Sequence, residues 1–328
     1  MQRRSSRRYQ SLILLSVCAI AAVAGCKRAA EPLPGAATEP AAMVRQLAQK
    51  LHDNDLVGYA RAAVPPSQYD ALETAWAQGH SRWPLTELPL DDKLPALLGT
   101  LSEKGAEQKL QRAFRAQFEG QAASVRQAAH SLGLFGVQYI THQGDYTNSE
   151  REHYVQRVTA LSGWAQAAPL SDAKLARANI ALLTTAARAT GLDSDQALQQ
   201  AGMTASLQRL GPFAGTLKKV LASYGLALDE SVTQMRTGLV SENGDQAIVR
   251  VQYPLAGKDV DVQVALVRRE GHWYLARTLA EAEQAIATAQ VAQQVIEQAQ
   301  EQARLDAAAA EPASPADGPD HAGSTAKP

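Results

Sequence analysis

Cysteine is nearly missing from this chain: 328 residues contain two, Cys18 and Cys26. A cysteine metal cluster and a disulfide framework are thereby excluded as sources of stability, and packing must do that work. Aromatic residues are scarce at 5%, which disfavours a large β-sandwich and suits closely packed, alanine-rich helices. No apolar run is long enough for a comfortable membrane span. The longest, Leu12 to Ala24, has 13 residues, against the ~20 that a spanning helix needs. Catalytic signatures are missing too: no G-x-S-x-G elbow, no H-E-x-x-H and no phosphate-binding glycine loop. "DNDLVG" at 53–58 starts like a calcium loop, but its twelfth position is Val64, where glutamate is required.

What is present begins with an address. Arg3, Arg4, Arg7 and Arg8 form a basic segment without acids, followed by the short apolar run and the small-residue exit Val23-Ala24-Gly25-Cys26. A basic start, an apolar middle and small residues at the end are the parts of a secretory signal peptide, assigned to residues 1–25 and set aside from the fold. The exit resembles the lipobox of bacterial lipoproteins, with Val23 where leucine is commoner. That resemblance implies acylation of Cys26, cleavage just before it, and anchoring to the lipid bilayer through the acylated cysteine. Lys27 in place of aspartate implies the outer membrane, facing the periplasm.

Cleavage removes four arginines and no acid, leaving 303 residues with 28 basic against 33 acidic side chains. A net charge of about −5 argues against a nucleic-acid partner, which requires a concentrated basic surface. Residues 26–40 read as the lipidated cysteine and a flexible tether. The fourteen residues after Cys26, when extended, reach about 40 Å.

Periodicity then predicts an α+β protein, mainly α: a helical N-terminal body, a four-stranded antiparallel β-meander and a long C-terminal helix. The helical domain is expected over 41–205, with Met43, Leu47 and Leu51 on one face. Ser67 is expected to cap a helix after Pro65-Pro66, residues 79–90 to form a loop, and Ser149 with Glu152 to form a capping box. Ser171 opens the next helix and Gly191 closes it. A small α+β domain is expected over 206–278. In it Pro212 starts a helix carrying Phe213, Leu217, Val220, Leu221 and Tyr224. Four strands follow, with a hairpin turn at Asn243-Gly244 and alternation at Ala247, Val249, Val251, Tyr253 and Val260, Val262, Val264, Leu266. One face of the meander is apolar and must be covered, and the helix at 212–224 is the nearest candidate. This helix and meander, closing on Gly271-x-Trp273-Tyr274-Leu275, resembles small nuclear-transport-factor-like domains. Thr278 and Glu281 are expected to cap a helix over 279–310 with a seam of mostly small residues from Ala285 to Ala303, and the tail 311–328 to be disordered.

No catalytic residue, metal ligand or cofactor is assigned. His142, Asp145 and His153 are the nearest approach to a metal set, but their spacing is looser than zinc sites use. Trp76, Trp83, Trp164 and Trp273 serve either as core or as lining of a ligand groove. The expected function is non-enzymatic: an interaction, assembly or inhibitor protein of the cell envelope with a protein partner. Two alternatives stand beside it: a small-ligand-binding module with a pocket between meander and helix, and a hydrolase with a dispersed site.

Overall fold

The structure, a computed structural model, describes residues 39–88, 91–142 and 146–310. Cys26, the signal peptide, residues 27–38 of the expected tether and the tail from 311 lie outside the described residues. The fold is α+β and mainly α, with twelve α-helices, one four-stranded antiparallel sheet and a long C-terminal helix among the described residues.

The helical body starts with α1 (Glu39–His52), two residues inside the expected tether. It turns sharply at Asn54, whose φ is 58°. The Asp55 carboxylate accepts from Gly58 N at 2.8 Å to cap α2 (Leu56–Ala63) and pairs with Lys50 at 2.7 Å. Asp55, the third residue of the calcium-like stretch, thus serves as a helix cap. Pro66, not Ser67, opens α3 (Pro66–Ala77) at its first position, where its missing N–H costs nothing. Residues 79–88 are not a plain surface loop, because Trp83 and Leu85 are buried. Next come α4 (Leu94–Ser102), α5 (Ala106–Gln117), α6 (Ala122–His142) and α7 (Asn148–Ala167). The capping box that opens α7 is Thr147 with Glu150, two residues earlier than expected: Thr147 Oγ1 accepts from Glu150 N at 3.2 Å, and Glu150 Oε2 from Thr147 N at 2.9 Å. Asp172, rather than Ser171, caps α8 (Ala173–Thr190), accepting from Lys174 N and Leu175 N, and Gly191 closes it at φ 61°.

After α9 (Asp195–Ala201), α10 (Met203–Ser223) runs unbroken through Pro212, which therefore lies inside a helix and does not begin one. Its apolar side, Leu207, Leu210 and Phe213, enters the same buried cluster as Trp76, Trp83 and Leu98. At Gly211 the helix crosses the α1–α2 turn so closely that a Cβ would sit 2.5 Å from Asn54 O. Most of α10 is committed to that core, and only Leu221 near its end reaches the sheet, in a cluster with Leu255 and Val260.

The short helix α11 (Leu228–Thr233) leads into strands β1 (Arg236–Asn243), β2 (Gln246–Leu255), β3 (Lys258–Arg269) and β4 (His272–Leu275), in sheet order β1-β2-β3-β4. Register pairs Ala247 with Leu266, Val249 with Val264 and Val251 with Val262, which places the alternating apolar residues on one face. That face is covered by α1, whose Ala41 and Val44 pack with Val249, Val251, Leu266 and Trp273. The main covering helix is thus some 200 residues from the strands it covers, and the helix at 212–224 contributes only Leu221, against Leu255 and Val260. β4 pairs only with the second half of β3. The open first half is bordered by α7, where Gln156 Oε1 accepts from Asp261 N at 2.7 Å, satisfying an edge donor that would otherwise recruit another chain.

β4 passes without a loop into α12 (Ala276–Ala310). Thr278 is thus a buried residue of the first turn and not a cap. Tyr274, Leu279 and Ala282 share the cluster of Trp76 and Leu207, so sheet, body and helix root have a common core. No described helix is long and apolar enough to cross a membrane.

Candidate interaction surfaces and a polar cleft

The sequence-predicted positions scatter. His142, at the end of α6, is exposed, and Asp145 lies outside the described residues. His153, on α7, lies with Nε2 2.9 Å from Tyr253 Oη, and burial, aided by the Arg157 charge, pushes its pKa down to about 4. No group of three or more His, Cys, Asp or Glu residues suited to a metal ion occurs among the described residues. Trp76, Trp83 and Trp273 are buried. Trp164 lines an open groove, its Nε1 donating to Tyr224 O at 2.8 Å, and Trp273, though buried, borders a second cavity beside α1.

Three places concentrate unusual chemistry. The first is a polar cleft of about 650 Å³ between the 85–87 turn, α7 and the root of α12. Its floor is Glu87. Tyr59 Oη donates to one carboxylate oxygen and Trp83 Nε1 to the other, both at 2.9 Å. Burial raises the Glu87 pKa, and the Glu281 carboxylate adds to the rise, while the two donors oppose it. Burial, with the Glu87 charge, pushes the Tyr59 hydroxyl far up. Arg277 donates to Glu281 at 2.8 Å and to Tyr154 Oη at 2.8 Å, which raises its pKa. Chemically the cleft offers a carboxyl group whose pKa is raised by burial, beside a guanidinium. Thr86, Thr278 and Tyr154 supply the hydroxyl groups along it.

The second place is the α6–α7 hairpin. Gly133 is the single buried residue of α6. A Cβ there would lie 2.1 Å from Ser162 Oγ, which donates to Ala129 O at 3.0 Å. Glycine and a small hydroxyl residue thus bring the two backbones close. Helix α7 is the one element with which α6 makes an extended contact. Its remaining apolar side chains are bare: Leu132 is 70% exposed, Phe135 67% and Tyr139 50%. Between α5, α6 and α7 lies an apolar groove of about 730 Å³, with Phe118, Val125, Leu132, Leu161, Trp164 and Leu170 along it. Between the meander and its covering helix, Val249 and Leu266 fill the centre, while a cavity of about 600 Å³ opens at the β4 end, bordered by Met43, Gln46, Arg61, His272 and Trp273.

The third place is α12. Leu279, Ala282 and Ala289 are buried against the body, chiefly against α3. From Gln294 to Ala307 every residue is exposed, including Val295, Ile296 and Leu305.

Sequence reasoning missed the bare side chains of α6. The signal was Ala128, Leu132, Phe135 and Tyr139 at i, i+4, i+7 and i+11, a stripe that periodicity records without saying whether anything covers it. Comparison with known proteins finds no matching family, no matching curated protein and no matching solved structure.

Proposed function

We propose that the chain is a lipid-anchored protein of the cell envelope. It is held through acylated Cys26 on the periplasmic face of the outer membrane and acts by binding a protein partner, not by catalysis. The observation that carries the binding role is the free half of α12. A helix of under ~15 residues without tertiary packing is marginal in water, and Gln294 to Ala307 has no such packing. Val295, Ile296 and Leu305 give a partner chain an apolar contact there. The anchor rests on the Val23-Ala24-Gly25-Cys26 exit. The enzymatic alternative has one location in its favour, the cleft around Glu87, which gathers carboxyl groups, hydroxyls and a guanidinium.

Two measurements test this reading. Metabolic labelling with a fatty acid is expected to mark the wild type and not Cys26→Ser, and equal labelling of both sinks the anchor. A photoreactive residue at Ile296 is expected to give one discrete crosslinked species in intact cells, whereas the same residue at exposed Leu97 of α4 gives none. Absence of that species, or the same species from both positions, sinks the assignment of α12 as the contact element.

A further inference from the structure

The hairpin surface carries more than bare apolar side chains. Helices α5 and α6 and the turn between them, residues 106–142, contain Lys109, Arg112, Arg115 and Arg126 against Glu107 and Glu119, a local charge of +2 in a chain of net −1. The remainder of the chain is therefore at −3, so positive charge is gathered where the apolar stripe is exposed. Helix α6 has no aspartate or glutamate. Among the described residues, no ion pair involves Arg112, Arg115 or Arg126. The stripe Ala128, Leu132, Phe135 and Tyr139 lies about a quarter turn around α6 from the side, marked by Ala129, Gly133 and Gly136, that meets α7.

We infer that helix α6, with the basic face of α5, docks on an anionic phospholipid bilayer, the stripe entering the acyl boundary and the arginines resting among the headgroup phosphates. An apolar helical face with free cations and no acids is the composition of a helix lying in a membrane interface. The stripe offers no hydrogen-bonding group except Tyr139, an amphipathic residue suited to that boundary. Ala128 and Leu132 border the apolar groove between α5, α6 and α7, and Phe135 and Tyr139 continue the stripe beyond it. A stripe with one hydrogen-bonding group fits a fluid surface better than an acidic protein, which would need directional contacts. The inference rests on charge and exposure alone and stands apart from the anchor at Cys26, whose labelling experiment can succeed or fail independently.

The test uses the full chain with Cys18→Ser and Cys26→Ser, which removes the acylation site and allows one engineered thiol. An environment-sensitive fluorophore is placed at Ala128→Cys on the stripe or, as control, at Ser241→Cys on β1. Vesicles carry spin-labelled quencher lipids and are made of phosphatidylcholine alone or of phosphatidylcholine with phosphatidylglycerol. Expected is quenching at position 128 and not at 241, on the anionic vesicles, and weakened by salt. Arg112→Gln and Arg115→Gln should each weaken the lipid dependence of that signal roughly fivefold, and Phe135→Ser should reduce the quenching while circular dichroism stays unchanged. Because both labelled chains share the same leader, vesicle binding through residues 1–25 does not separate them. Equal quenching at 128 and 241, or equal quenching on neutral and anionic vesicles, overturns the inference. So does a lipid-free sample in which the probe at 128 is already shielded in a dimer, or shielding by an acidic protein in place of vesicles.

Discussion

Leu279 and Ile296 lie on one helix, seventeen residues apart, and should answer oppositely to the same truncation. Leu279 is 2% exposed in the core with Trp76 and Leu207. Leu279→Ala removes three buried carbons and leaves a cavity, a loss of about 2–5 kcal/mol. Ile296 is 41% exposed, in a stretch of the helix where every residue is exposed. Ile296→Ala removes little packing and replaces a β-branched residue by the best helix former, worth about 0.4 kcal/mol in favour of the helix. The expected result is a clear loss for the first and a change within about 0.5 kcal/mol for the second. Urea unfolding followed by tryptophan fluorescence reads the body directly, since Trp76 and Trp83 sit in its core. A loss above about 2 kcal/mol for Ile296→Ala, a large share of a typical stability of 5–15 kcal/mol, would mean that the outer half of α12 packs on its own chain, and the argument for a partner there would fall.

Three further outcomes follow from local geometry. Val249→Asp would place a carboxylate among Val44, Val251 and Leu266 and should cost several kcal/mol. Asp261→Asn touches a half-exposed pair with Arg250 and a hydrogen bond from Gln252 and should cost about 1 kcal/mol; equal melting shifts from the two would show that the sheet faces are reversed. Glu270 holds φ 52° beside Gly271 in the β3–β4 turn, and Glu270→Asn should raise stability by about 0.5–1 kcal/mol by thermal melting, an unchanged or lower melting temperature counting against that strain. His153, held down to about 4 where a free histidine sits at 6.5, is uncharged in the folded protein while the unfolded chain gains its proton. Stability is therefore complete above pH 6.5 and falls as the pH drops toward 4, by about 1–2 kcal/mol once its partial exposure is discounted. His153→Phe should flatten that part of the stability–pH curve, and an unaltered slope would place its origin elsewhere.

The meander was legible because period-2 alternation and tight turns are local: Val249, Val251, Val262 and Val264 reveal their common face within twenty residues. The cover was not legible. Val44 meets Val249 across some 200 residues, and an apolar helical face does not specify which apolar surface it buries. Cap positions slipped for a related reason: Thr147/Glu150 and Ser149/Glu152 both satisfy the same four-residue pattern, and the geometry of the α6–α7 turn decides between them. Pro212 looked like a helix start because proline favours that position, yet the buried residues on either side, Leu207, Leu210 and Phe213, hold α10 together across it. At the hairpin, the stripe on α6 was in the sequence, but its exposure is a property of what fails to pack on it.

The direct passage from Leu275 into α12 also has a mechanical consequence. With no linker residue at the junction, the direction of the helix is set by β4 and by Leu279 and Ala282 beneath it. Beyond Ala289, the last buried of its described residues, this helix of 35 residues makes an arm about 31 Å long. A tilt of about 10° where the packing ends carries the far end through about 5 Å, so small repacking around Ala289 is magnified into a displacement about as wide as a helix backbone. The arm converts small adjustments in the core into reach.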